Sequence, residues 1–90
     1  MMKILHCAKE IDGWTVKYYL TVETRNNLPY YGVLITSGHG KTFYSAAMTD
    51  VFPYEPDATV FLAYLSEHDV TPVSAKDIMC DYMEAKIVNT

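Results

Sequence analysis

The sequence predicts an α+β domain: an antiparallel sheet of about four strands, followed by two C-terminal helices packed on one of its faces. Three observations predict it. Residues 14–24, WTVKYYLTVET, alternate between two sets of side chains, as a strand does. Turn-forming clusters separate the short apolar runs of the first half: Asp12-Gly13, Asn26-Asn27-Leu28-Pro29 and Gly38-His39-Gly40. After Pro53 the apolar residues recur at helical spacing instead. Strands first and helices second, with short turns between the strands, is the order of a two-layer α+β fold.

Taken in order, residues 2–10 read as the first strand. Asp12-Gly13 follows as a two-residue hairpin turn, because both positions tolerate positive φ. The second strand, 14–24, places Trp14, Val16, Tyr18, Leu20 and Val22 on one face and Thr15, Lys17, Tyr19, Thr21 and Glu23 on the other. Residues 26–29 break it, and 30–37 form the third strand. Gly38-His39-Gly40 is the next break, before a fourth strand from Thr42 to about Met48. Pro56-Asp57 opens a helix that runs to about Glu67, with Ala58, Phe61, Leu62 and Leu65 along one side. Thr71 as N-cap and Pro72 at the first helical position start a second helix, which reaches about Ile87. Its apolar stripe is Ala75, Ile78, Met79, Tyr82 and Met83, and Asp77, Asp81 and Glu84 face away.

Ninety residues hold a single core, so residues 1–90 are expected to form one domain. The start, MMKILHCAKEID, meets charge too early for a secretion signal, and no apolar run approaches the ~18 residues of a membrane span. Cys7 and Cys80, far apart in the chain, read as two reduced thiols. A cytoplasmic location is expected.

The formal net charge is −4. Residues 1–50 hold five cations (Lys3, Lys9, Lys17, Arg25, Lys41) against four acids, and residues 51–90 hold two lysines against seven acids. A nucleic-acid interface needs clustered cations that displace counterions from phosphates. Without such a cluster, no direct nucleic-acid contact is expected.

Residues 37–42, SGHGKT, end like a phosphate-binding loop. That loop needs a glycine five positions before its Gly-Lys-Thr end and a helix after it. Ile35 occupies the glycine's place, and the following Thr42-Phe43-Tyr44-Ser45 is strand-like. The stretch therefore reads as a hairpin turn. An anion held by its amides, with His39 and Lys41 beside them, is the residual ligand-binding reading.

His6, Cys7, His68 and Cys80 are types that bind zinc, but they lack the paired spacing of a zinc site. Asp81 beside Cys80 disfavours the thiolate a nucleophile needs. Asp77 and Asp81, one helical turn apart, make a thin ligand set for magnesium and read as a solvated face. No metal, no cofactor and no enzymatic activity are expected.

The tyrosines stand out. Tyr18-Tyr19 and Tyr30-Tyr31 are adjacent pairs on neighbouring strands, so one member of each pair points away from the helices. Tyr19, Tyr30 and Tyr44 are therefore candidate interface residues, and Asp77, Asp81 and Glu84 of the second helix are candidates as well.

Tyr18-Tyr19-Leu20, Tyr31-Gly32-Val33 with Ile35, the helix over 56–65, Val70-Thr71-Pro72-Val73, Asp77-Ile78 and Asp81-Tyr82 follow one another in a recognisable order. Over residues 17–84 this set resembles an uncharacterised family, a domain of unknown function, of small cytosolic proteins from low-GC Gram-positive bacteria. The resemblance implies a bacterial cytosolic domain and assigns no catalytic residue. Ala75 stands where the family leads one to expect a larger apolar residue, which would loosen the second helix.

Two functions follow as expectations. The first is a non-enzymatic binding or regulatory protein, such as an inhibitor encoded by a phage or mobile element, acting through protein–protein contacts of its tyrosine-bearing sheet face and acidic helices. The second is a homo-oligomer, a homodimer for instance, that sequesters a nucleotide in pockets between subunits.

Overall fold

Four strands and two helices follow one another in the predicted order in the computed structural model, which describes the backbone of residues 1–88 and the side chains of residues 1–82. The strands are β1 (Met2–Ile11), β2 (Trp14–Arg25), β3 (Leu28–His39) and β4 (Thr42–Phe52), and the helices are α1 (Glu55–Glu67) and α2 (Pro72–Val88). Neighbours in sequence are neighbours in the sheet, in the order β1-β2-β3-β4, and every pair is antiparallel.

Turn chemistry sets that meander. Asp12 and Gly13 have φ of 51° and 84°, and Asn26 and Asn27 have 54° and 63°. Both are two-residue turns whose left-handed backbone matches the twist of the strands they join. The expected four-residue break at 26–29 is thus only two residues long. Asparagine tolerates positive φ, and β3 begins at Leu28. Pro29 fits within the strand because it pairs with Thr24 beyond the last β3–β4 pair, Tyr31 with Phe52. Its missing N–H lies where no β4 ladder runs. The third turn is Gly40-Lys41, with Gly40 at φ 60°, and Gly38 and His39 belong to β3.

Two irregularities bend the sheet. His6 is an extra residue in β1, between the pairs Leu5–Tyr19 and Cys7–Tyr18. It resets the alternation, so Cys7, Lys9 and Ile11 share the face of Tyr18. In β4 two extra residues lie between the pairs to Val33 and Tyr31, with Asp50 at φ 62°. This carries β4 on to Phe52, four residues beyond the expected end at Met48.

The helices cover one face. Val16, Tyr18, Leu20, Val33, Ile35, Ala46, Met48 and Phe52 of the sheet meet Ala58, Leu62 and Leu65 of α1 and Ala75 and Met79 of α2 in one buried cluster. Each large side chain there contributes roughly 1.5–3 kcal/mol by leaving water. Ala75, expected to loosen α2, is fully buried in that cluster. Pro56 lies in the first turn of α1, which starts one residue earlier than expected, at Glu55. The Thr71 carbonyl accepts the Ala75 N–H at 2.8 Å, which puts Thr71 at the N-cap of α2. Its hydroxyl lies 3.5 Å from that of Ser74. Met83 and Glu84 fall outside the described side chains. No helix among the described residues is long and apolar enough to cross a membrane.

Candidate functional site

The face of the sheet opposite the helices carries Lys3 and Leu5 of β1, Thr15, Lys17 and Tyr19 of β2, Leu34, Thr36 and Gly38 of β3, and Phe43, Ser45 and Ala47 of β4. Strand alternation puts them there, because their neighbours in sequence are the core residues. Most of them are open to solvent: Lys17, Ser45 and Ala47 are exposed, and Phe43 keeps 66% of its surface in water.

A groove of about 470 Å³ runs across this face, lined by Lys3, Thr15, Lys17, Tyr19, Thr36, Gly38, Gly40 and Phe43. Gly38 gives it depth, since no side chain stands between Thr15 and Phe43 there. Tyr19 and Phe43 supply aromatic surface, and Lys3 and Lys17 supply charge. The Lys3 ammonium sits 4.9 Å from the centre of the Tyr19 ring, a cation–π distance that holds both side chains in place. At the rim, the Thr15 hydroxyl donates to the Glu10 carboxylate at 2.8 Å. The groove is thus cationic although the chain is acidic. Glu10 is the acid at its rim, and the helical side carries a separate acidic set, Asp57, Glu67, Asp69, Asp77 and Asp81, all exposed.

The expected bare face is bare over only part of its length. Toward the Asn26-Asn27 turn, the bulged stretch of β4 folds over it. A Cβ on Gly32 would strike the Met48 carbonyl and lie 2.6 Å from Thr49 Cα, so this position accepts no side chain. Thr21, paired with Gly32, is fully buried beneath that stretch. The Asp50 carboxylate forms an ion pair with the Arg25 guanidinium. The guanidinium in turn lies 5.9 Å from the Tyr30 ring.

The predicted interface tyrosines are therefore dispersed. Tyr19 lines the groove. Tyr30 is half-buried at the closed end, under Arg25. Tyr44 lies on the helical face, paired with Ser37, with its ring 5.7 Å from Trp14. His39 is on that face too, 5.3 Å from Trp14, and its Nδ1 donates to the Gly13 carbonyl at 2.9 Å. That bond ties the first and third turns together. Lys41 is exposed at the tip of the third turn. Gly38 and His39 are extended and Gly40 alone in SGHGKT has positive φ, so the stretch is a hairpin and not a cradle of successive amides. Asp77 and Asp81 are exposed on α2, remote from the groove lining. The side chain of Glu84 lies outside the described residues.

Lys3, Lys17, Thr36 and Phe43 went unpredicted as site residues. A signal for Phe43 was present: a two-residue Gly40-Lys41 turn pairs it with Gly38, on the face of Tyr19. The β1 lysine needed the His6 bulge to be known.

No group of three or more metal-ligating side chains occurs among the described residues. Cys7 and Cys80 are free thiols, the first half-buried against the core and the second exposed. The clearest titration anomaly is structural: burial pushes the Tyr18 hydroxyl up to about 12, with Asp69 and Cys7 adding to the effect.

The model of a family of unknown function (DUF6514) matches residues 2–85 of the chain. No curated protein and no solved structure matches it.

Proposed function

The chain belongs to DUF6514, a family of unknown function, and we propose that it is a non-enzymatic binding protein whose sheet groove takes an acidic segment of another protein. The observation that carries this reading is the groove itself: two lysines and two aromatic rings on the uncovered face of an otherwise acidic chain. Aromatic rings contribute contact area at small entropic cost, and the lysines select the partner by charge. The exposed acids of α2, Asp77 and Asp81, offer a second contact of opposite sign to a basic region of the same partner. In this reading the protein works in the cytosol of a low-GC Gram-positive bacterium or is encoded by a phage of one. Its two free cysteines accord with a reducing compartment.

A photo-crosslinking amino acid placed at Tyr19 or Phe43 in the living cell tests it, with the exposed Val73 of α2 as the control position. Discrete adducts from the two groove positions, lost on Lys17→Glu, are expected. Identical adduct patterns from groove and control positions would refute it.

The same lysines and rings support a second reading, an anionic ligand with a ring system such as a nucleotide. Mass spectrometry of the denatured protein separates the two. A nucleotide released in stoichiometric amount favours the ligand, and its absence favours the protein partner.

A further inference from the structure

The two edges of the sheet are guarded very differently. Edge strands invite pairing with another chain, and proteins blunt them with charges, prolines and bulges. On β1, the His6 bulge interrupts the ladder, and Lys3, Lys9 and Glu10 punctuate the strand. On β4, residues 42–48 read TFYSAAM, with no charge and no proline, and their register with β3 is unbroken from Thr42 to Met48. The Gly40-Lys41 turn makes His39 and Thr42 a hydrogen-bonded pair. Counting on, Tyr44, Ala46 and Met48 direct their backbone groups to β3, while Phe43, Ser45 and Ala47 direct theirs outward. All three outward residues are exposed.

We propose that β4 pairs antiparallel with β4 of a second copy of this chain about a two-fold axis at Ser45, which joins two sheets into one of eight strands. The occupant is a second copy because the strand is complementary to itself. With Ser45 on the axis, Phe43 lies opposite Ala47 of the partner subunit and Tyr44 lies opposite Ala46 of the partner subunit. Large meets small on both faces, and no charge meets a like charge. The two alanines also leave a mainly apolar groove of about 380 Å³ between β4 and α2, lined by Met48, Lys76, Met79 and Cys80 among others. Tyr44, 49% exposed on that face, stands where its ring covers this groove in the other subunit. Stacking the uncovered sheet faces of two copies would instead bring Lys3 and Lys17 against one another. The β4 edge shares only Phe43 with the sheet groove, so this inference does not depend on the proposed partner.

Sedimentation velocity over a concentration series tests it, with wild type against Ser45→Pro and Ala47→Lys. Proline at 45 removes an outward N–H and leaves the β3 ladder untouched. Lysine at 47 adds a guarding charge without changing the backbone. Wild type dimerises, and each substitution raises the dissociation constant by roughly tenfold or more, since each acts twice across the axis. Circular dichroism and thermal unfolding of the diluted variants, expected unchanged, exclude misfolding. In a Cys7→Ser background, alkylation of Cys80 slows as wild-type dimer accumulates and stays fast in Ala47→Lys. A wild type that remains monomeric throughout overturns the proposal, leaving the edge to a strand of another protein. A dimer undiminished in both variants overturns it as well.

Discussion

The Tyr18 hydroxyl donates a 2.8 Å hydrogen bond to the Val70 carbonyl, joining the middle of β2 to the connection between the helices. The two residues are 52 positions apart, and Tyr18 is fully buried. Lys9 reinforces the link from the neighbouring strand. Its ammonium donates to the Ser66 carbonyl at 2.6 Å and to the Asp69 carboxylate at 2.8 Å. Together these bonds pin the helical layer to the sheet at the point where α1 hands over to α2.

Tyr18→Phe deletes that hydroxyl and leaves a buried carbonyl without its partner. It is expected to cost about 1–3 kcal/mol. For a domain of this size each kcal/mol lowers Tm by about 4–8 °C. Urea denaturation checks it, and an unchanged midpoint would show that the bond contributes nothing.

The same two residues predict an alkaline limb of stability. In the folded chain Tyr18 holds its proton up to about pH 12, against an ordinary value of 10.0. Lys9 is raised above its ordinary 10.5, chiefly by its hydrogen bond to Asp69. Between the unfolded and folded values the native state binds more protons, so stability falls as pH rises. Both contributions are complete below pH 10. Above it, Tyr18 alone imposes a loss of about 1.4 kcal/mol per pH unit until its folded value is reached. Denaturation midpoints measured from pH 8 to 12 should stay flat and then drop. Tyr18→Phe should lower the plateau and shallow the drop.

Gly32→Ala should destabilise strongly. The new Cβ meets backbone atoms of Met48 and Thr49, which cannot rotate away. A cost at or above the upper end of about 1–3 kcal/mol is expected for overpacking of this kind. Normal stability in this variant would mean that β4 does not fold over the sheet there.

Neighbouring tyrosines should behave as opposites. Tyr18→Ala empties the core and should cost about 3–5 kcal/mol. Tyr19→Ala, on the groove side, should cost about 1 kcal/mol or less. Equal losses would contradict the assignment of the two residues to opposite faces.

Within SGHGKT the glycine should matter more than the lysine. Gly40→Ala forces a side chain onto a backbone at φ 60°, at about 1–2 kcal/mol. Lys41→Ala, exposed at the turn tip, should stay within about 0.5 kcal/mol. Thermal unfolding of both variants decides. The reverse ranking would imply that Lys41 has a bound partner.

Much of this molecule is written locally. The alternation of residues 14–24, the Asp12-Gly13 turn and the Thr71-Pro72 helix start each depend on a few adjacent residues, and each appears where expected. So do the buried stripes Ala58-Leu62-Leu65 and Ala75-Met79. Antiparallel order then follows from the two-residue turns. By the same local logic the phosphate-loop reading of SGHGKT already failed on Ile35 and on the strand that follows.

Tertiary structure alone decided the rest. One extra residue at His6 moved Lys3 onto the groove face, and the β4 bulge closed part of the face that alternation left bare. Bulges leave little mark in a hydrophobic pattern, because each changes a register by a residue or two while preserving composition. The groove is the clearest case. Lys3, Lys17, Tyr19 and Phe43 come from three strands, and their juxtaposition depends on every register between them. The sequence by itself determined which segments are strands and helices, since short-range sterics and burial periodicity act within a few residues. Which side chains share a surface was left to the pairing of distant segments, where a single inserted residue outweighs any local preference.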